Sequence, residues 1–154
     1  MKETDERLIT RSLESMNHFF ASNQTKSIDF RVSQLRKLKK SILNYQERIQ
    51  HALWDDLHKS PEEAYLTEIS IVLNEIDYHI KHLKKWSKPK RVSTPIYLRP
   101  SSSKIRYEPL GIALIVAPWN YPFQLLFNPL IRAISAGCCA LLKPSPDTPT
   151  TAKL

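Results

Sequence analysis

Glycine is almost absent from this chain: Gly111 and Gly137 are the only two in 154 residues. A dinucleotide-binding turn of the GxGxxG kind, in which backbone amides cradle a pyrophosphate, therefore cannot be assembled here. Cysteine is equally scarce. Cys138 and Cys139 are adjacent, a spacing that suits neither a disulfide framework nor a CxxC metal clamp and fits a reducing compartment. No apolar run approaches the roughly 20 residues needed to span a bilayer, and the first ten residues, "MKETDERLIT", hold no apolar h-region. A cytoplasmic protein with no membrane segment is the expectation. Acidic residues are outnumbered, 15 against 23 Lys and Arg, for a net charge of +8.

That excess raises nucleic acid as a partner, because the cations concentrate in "RVSQLRKLKK" and "HLKKWSKPKRV". Both clusters lie in segments with a clear apolar stripe, and no helix-turn-helix glycine, zinc spacing or RNP-like strand accompanies them. A solvated helix face accounts for them, and no nucleic-acid partner is expected. The first ninety residues are helical by period. Leu8, Ser12, Met16 and Phe20 mark one helix; Ile28, Val32, Leu35, Leu38, Ile42, Tyr45, Ile49, Leu53 and Leu57 predict a second, continuous from about 28 to 57. "SPEE" then supplies a start signal, with Ser60 as N-cap, Pro61 at the first helical position and Glu63 closing a capping box. Leu66, Ile69, Leu73, Ile76, Ile80 and Leu83 give the apolar face of that third helix, which Pro89 ends.

From Arg91 the period changes. Two short extended runs, Ile96–Arg99 and Lys104–Glu108, predict a hairpin. "GIALIVAP" has the length and continuity of a strand buried on both faces in a parallel sheet. Helical spacing returns from Pro122 to Ala136, bent at Pro129 and stopped by Gly137, and "CCALLKP" makes a second buried strand. Strand, helix and strand in this order form a βαβ crossover.

In open α/β sheets the residues just past a strand's carboxyl end line the ligand crevice, which draws attention to Pro118, Trp119, Asn120 and Tyr121. A neutral side-chain amide can donate to an oxyanion without depending on pH, a task open to Asn120. The residues alone leave a second role open, in which Asn120 caps the helix starting at Pro122 and Trp119 fills core. Glu75, His79 and His82 share a helix face at a spacing that could present two ligands and an acid to zinc, but no third ligand lies nearby in sequence, so a solvated face and no metal are expected.

The stretch "EPLGIALIVAPWNYPFQLLFNPLIRAISAGCCALLKPSP" resembles the N-terminal part of the aldehyde dehydrogenase superfamily, with "PWNYP" followed by "LKPS" as the specific pairing. Upstream, the helical segment from Phe30 to Trp86 is similar to the paired helices of the class 3, or fatty-aldehyde, branch. The resemblance implies an α/β fold: N-terminal helices over 1–90, a β-hairpin of oligomerisation type over 91–110, and over 111–154 the first βαβ unit of a Rossmann-like cofactor domain, incomplete here. It implies NAD or NADP as cofactor, an aldehyde as substrate and a homodimer in the complete enzyme. By position, Asn120 matches the oxyanion-hole asparagine. Val116, Ala117, Pro118 and Trp119 match the segment beside the nicotinamide, Lys143 matches the lysine at the adenosine ribose, and Ser145 follows it on the cofactor side.

The same resemblance puts the glycine motif, the general-base glutamate and the nucleophilic cysteine downstream of Leu154, so the expectation is an N-terminal fragment without activity of its own. Cys138 and Cys139 do not take the nucleophile's place, because they open a buried strand where a thiol is inert. A strand following Lys143 without its later neighbours is expected to leave an open, apolar flank. A non-catalytic basic helical module that binds a protein or nucleic acid is the competing expectation. One departure from the family stands in "LKPSPDT": Pro146 occupies a position where many NAD-using members carry an acid.

Overall fold

The computed structural model describes residues 5–154. Helices α1 (Glu6–Ala21), α2 (Ile28–Asn44) and α3 (Gln46–Leu57) lead into α4 (Pro61–Ala64), a single π turn (Tyr65–Ile69) and α5 (Ser70–Trp86). Strands β1 (Lys90–Val92) and β2 (Ser103–Ile105) follow, then β3 (Ile112–Val116), α6 (Pro122–Ala136) and β4 (Cys139–Lys143). β3 and β4 pair in parallel, with Ile112 opposite Cys139 and Val116 opposite Lys143, so β3, α6 and β4 form the expected βαβ unit. The core lies between the helical layer and α6: Leu35, Ile42, Ile49, Leu53, Ile69, Val72 and Ile76 pack with Phe123 and Ile131. The cations Arg36, Lys37 and Lys40 stand on the exposed face of α2.

Four expectations change. The helix expected over 28–57 is two helices that break at Tyr45, where φ is −103° and ψ 7°. No proline or glycine marks the break. It arises because α2 packs on α5 and α6 whereas α3 packs on α4 and the turn Thr151–Lys153, so one segment serves two surfaces. The hairpin pairs Lys90–Val92 with Ser103–Ile105 rather than Ile96–Arg99 with Lys104–Glu108. Pro95 and Pro100 lack amide donors, and Ile96–Leu98 between them coils into a 3-10 turn. Neither parallel strand is buried on both faces: Ile115 faces the core, but Leu114 and Val116 are more than half exposed. Finally, Leu66 is exposed because the π turn, in which the Ser70 amide donates to the Tyr65 carbonyl, inserts one residue into the helix and rotates the buried face by that step.

Helix α6 runs through Pro129 unbroken and ends as expected at Gly137, whose φ of 86° is left-handed. The Cys138 amide donates to Ala133 O and the Gly137 amide to Ile134 O, the pairing of a Schellman close. Arg31 of α2 reaches this end. Its guanidinium donates to Ser135 O at 3.2 Å and to Thr25 O and Lys26 O at 2.6 and 3.0 Å, which places a cation at the negative pole of the helix. His79 of α5 holds the same turn from the side, with Nδ1 2.7 Å from the Ser135 hydroxyl. Its other nitrogen lies 3.4 Å from Glu75, which also accepts from Arg132 of α6 at 3.0 Å. His79 is thus buried against α6 rather than on a solvated face, and His82 turns back to its own helix at Tyr78 O. No three potential metal ligands gather among the described residues.

Two consequences can be measured. A methyl group at Gly137 would sit 2.7 Å from the Arg31 guanidinium, in a backbone conformation hostile to L side chains. Gly137→Ala is expected to lower the unfolding free energy by about 2 kcal/mol or more, read from urea denaturation. Burial pushes the His79 imidazole below its ordinary value; Glu75 pulls it up, and Arg132 and His82 push it down again, without reversing the result. The unfolded chain therefore takes up this proton before the folded one, and stability is lost as pH falls below about 6.5 toward the lowered folded value. The urea midpoint should drop between about pH 7 and pH 5.5, and His79→Gln should flatten that drop.

Candidate functional site

The carboxyl ends of β3 and β4 finish side by side. Val116 stands opposite Lys143, and one residue later the Ala117 amide donates to Lys143 O at 3.1 Å, which extends the ladder to the carboxyl edge of the two strands. Ala117 is buried, and the chain then turns outward: Pro118, Trp119 and Asn120 are exposed, with Trp119 55% accessible. Lys143 also points to solvent. The structure thus gathers Val116, Ala117 and Lys143 at one edge and hangs Pro118, Trp119 and Asn120 above it. Ser145 is set apart: it is buried, and its hydroxyl accepts from the Asp147 amide at 3.2 Å and donates to the Asp147 carboxylate at 3.4 Å.

The capping role for Asn120 does not hold. Tyr121 occupies the N-cap position of α6 and makes no side-chain cap. The free amides of the first turn belong to another residue, Glu68 of the π turn. Its Oε2 accepts from Phe123 N at 2.8 Å and Gln124 N at 3.1 Å, from a fully buried position. Its Oε1 lies 2.6 Å from Lys59 Nζ, which donates as well to Asn120 O at 2.9 Å and sits 4.0 Å from the centre of the Tyr121 ring. A carboxylate at a helix N-terminus is favourable electrostatically, and here its counter-charge braces the loop just upstream. The Asn120 side chain has no hydrogen-bond partner among the described residues. Its backbone is fixed while its amide is free to donate outward.

Sequence reasoning passed over Lys59 and Glu68, although one signal was available. Ala64, Glu68, Val72 and Ile76 follow one another at four-residue spacing and are all buried, so an acid stands in the middle of an apolar stripe. The cysteines, by contrast, behave as anticipated in character. Burial, and then the neighbouring Cys138, push the Cys139 thiol above its ordinary value, and its Sγ points at Met16 O of α1. Both are half-buried rather than fully enclosed.

The whole chain, residues 1–154, matches the aldehyde dehydrogenase family. It is 53% identical over 136 residues to a 4,4'-diaponeurosporen-aldehyde dehydrogenase of Staphylococcus aureus, covering 88% of this chain and 30% of that relative. It is 41% identical over 143 residues to aldehyde dehydrogenase family 3 member B2 of Mus musculus, covering 93% of this chain and 30% of that relative. Among solved structures, the substrate-bound state of Staphylococcus aureus AldH superposes with a TM-score of 0.91 at 50% identity, over 94% of this chain and 32% of that one. The chain thus spans about 30% of the length of the curated relatives it matches. With its helical layer, its βαβ unit and the PWNYP loop held at the sheet's carboxyl edge, this chain belongs to the aldehyde dehydrogenase family.

Proposed function

We propose that the whole protein oxidises an aldehyde to a carboxylate with NAD or NADP, and that Asn120 donates its side-chain amide to the oxyanion formed when a thiolate attacks the carbonyl. The observation that carries this reading is the Asn120 loop itself: a backbone tethered at its carbonyl by a buried lysine, and a side-chain amide left unpaired at the crevice. A donor already in place when charge develops stabilises the transition state without having to reorganise. The nucleophile, in this reading, comes from residues outside 1–154, and the chain contributes the oxyanion donor and one wall of the cofactor crevice. The exposed aromatic rings of Trp119 and Tyr121 on either side of Asn120 favour an apolar aldehyde.

The cofactor reading rests on Lys143, an exposed cation at the carboxyl edge of β4, abreast of Val116. Such a group suits the hydroxyls or phosphate of a nucleotide ribose. Val116, Ala117, Pro118 and Trp119 would border the nicotinamide, and Ser145 shapes the turn after Lys143. When bound, the cofactor would accept the hydride. A cytoplasmic location, a homodimer formed through the hairpin of residues 91–110, and the absence of a nucleic-acid partner belong to the same proposal. No helix among the described residues is long and apolar enough to cross a membrane.

Asn120→Ala should lower kcat of the whole protein by about two to three orders of magnitude with little change in cofactor affinity, as expected for loss of one oxyanion donor. Normal turnover in that variant would exclude the role. A further expectation concerns cofactor choice. Pro146 brings no side-chain acceptor for the ribose hydroxyls and no charge to repel a 2′-phosphate, and the Ser145 hydroxyl holds the Asp147 carboxylate. A charged hydrogen bond is worth about 1.5–3 kcal/mol, so comparable kcat/KM for NADP and NAD is expected. A preference for NAD beyond about a hundredfold, lost on Asp147→Ala, would mean that Asp147 supplies the missing acceptor.

A further inference from the structure

We infer that Lys59 and Glu68 are positioning residues for the oxyanion donor, and that their buried ion pair sets where the Asn120 amide stands. The inference rests on the reading of Asn120 given above. Lys59 and Glu68 are 8% and 0% exposed, and removing two charges from water is a poor way to gain stability when apolar residues of similar size would pack as well. What such residues could not do is make the contacts this pair makes outside itself. Lys59 Nζ donates to Asn120 O at 2.9 Å and lies over the Tyr121 ring at 4.0 Å; Glu68 Oε2 takes the amides of Phe123 and Gln124 at 2.8 and 3.1 Å. All four targets fall in residues 120–124, immediately at and after the candidate donor.

The two residues are themselves held on rigid supports. Lys59 sits between His58, left-handed at φ 55° where α3 ends, and Ser60, whose hydroxyl accepts from the Glu63 amide to start α4. Glu68 lies in the π turn, fully buried, with its carboxylate against the first turn of α6. The Asn120 backbone is thereby tied through one ammonium to the helical layer and through one carboxylate to the first turn of α6. Its side-chain amide inherits that placement, because only the two side-chain torsions remain free. A shift of about 1 Å at such a donor can lower turnover on the order of a hundredfold.

The test compares Lys59→Met, Lys59→Arg, Glu68→Gln, Asn120→Ala and the double variant Lys59→Met/Asn120→Ala in the whole protein. Steady-state kinetics and amide hydrogen exchange over residues 117–124 are read for each. Lys59→Met is expected to lower kcat by about tenfold to a hundredfold, with the aldehyde KM and cofactor affinity within about threefold. Exchange at 120–124 should quicken by at least about tenfold while the rest of α6 keeps its protection. Lys59→Arg, which keeps a charged donor, should recover much of the loss. The double variant should turn over no more slowly than Asn120→Ala alone, because both changes remove one interaction. Multiplying effects in the double variant, or unchanged exchange at 120–124, would overturn the inference. If Asn120→Ala retains normal turnover, the oxyanion reading fails, and the exchange data still decide whether the pair holds the loop. Should Lys59→Met not fold, Glu68→Gln carries the same two readouts: lowered kcat with quickened exchange at 120–124 is expected, and normal kcat with normal exchange overturns the inference.

Discussion

The contact between Glu68 and the first turn of α6 organises the rest of this structure. A helix begins with amides that have no partner inside it, and at α6 two of these are satisfied by a carboxylate that comes from a different layer. Glu68 therefore does three things at once. It compensates Lys59, it fixes where α6 starts relative to the helical layer, and through Lys59 it fixes the loop that joins β3 to α6. Because β3 precedes that loop and β4 follows α6, the placement of one helix terminus propagates to the carboxyl edge of the sheet.

The other end of α6 is treated in the complementary way. Arg31 donates to Ser135 O in the last turn, and Gly137 leaves the room that the guanidinium needs. His79 adds a lateral bond to the Ser135 hydroxyl. Opposite charges at opposite poles match the helix macrodipole, and each is buried, so each acts through a specific hydrogen bond rather than a screened field. The apolar contacts of Phe123 and Ile131 with the helical layer supply the adhesion. The polar clamps determine the register, which apolar packing alone leaves free to slide.

This division of labour explains the differing exposure of the two faces of the sheet. Toward α6, Ile115 is buried and the core is continuous with the helices; away from it, Leu114 and Val116 are open to solvent. The candidate site lies on the boundary, where Ala117 is buried and Pro118 is the first of four exposed residues. A loop that must present an amide to a ligand cannot be buried, yet it must not drift. Tethering its backbone to a buried charge satisfies both demands.

Much of this was legible in the residues. The 3.6-residue spacing of apolar side chains located the helices, "SPEE" marked the α4 start at Ser60, Gly137 marked the end of α6, and the paired "PWNYP" and "LKPS" pointed to the family. These signals are local: each depends on residues a few positions apart, so a linear reading captures them. What tertiary structure alone decided has the opposite character. The break at Tyr45 follows from two packing partners, the hairpin's strands were chosen by cross-strand pairing, and the π turn shifted the buried face by one residue. Arg31, Glu68 and His79 interrupt apolar stripes in the sequence, and that irregularity could be noticed there. Which groups they would meet could not, because Ser135 and the amides of Phe123 and Gln124 lie 55 to 104 residues away along the chain, and only folding brings them within hydrogen-bonding distance.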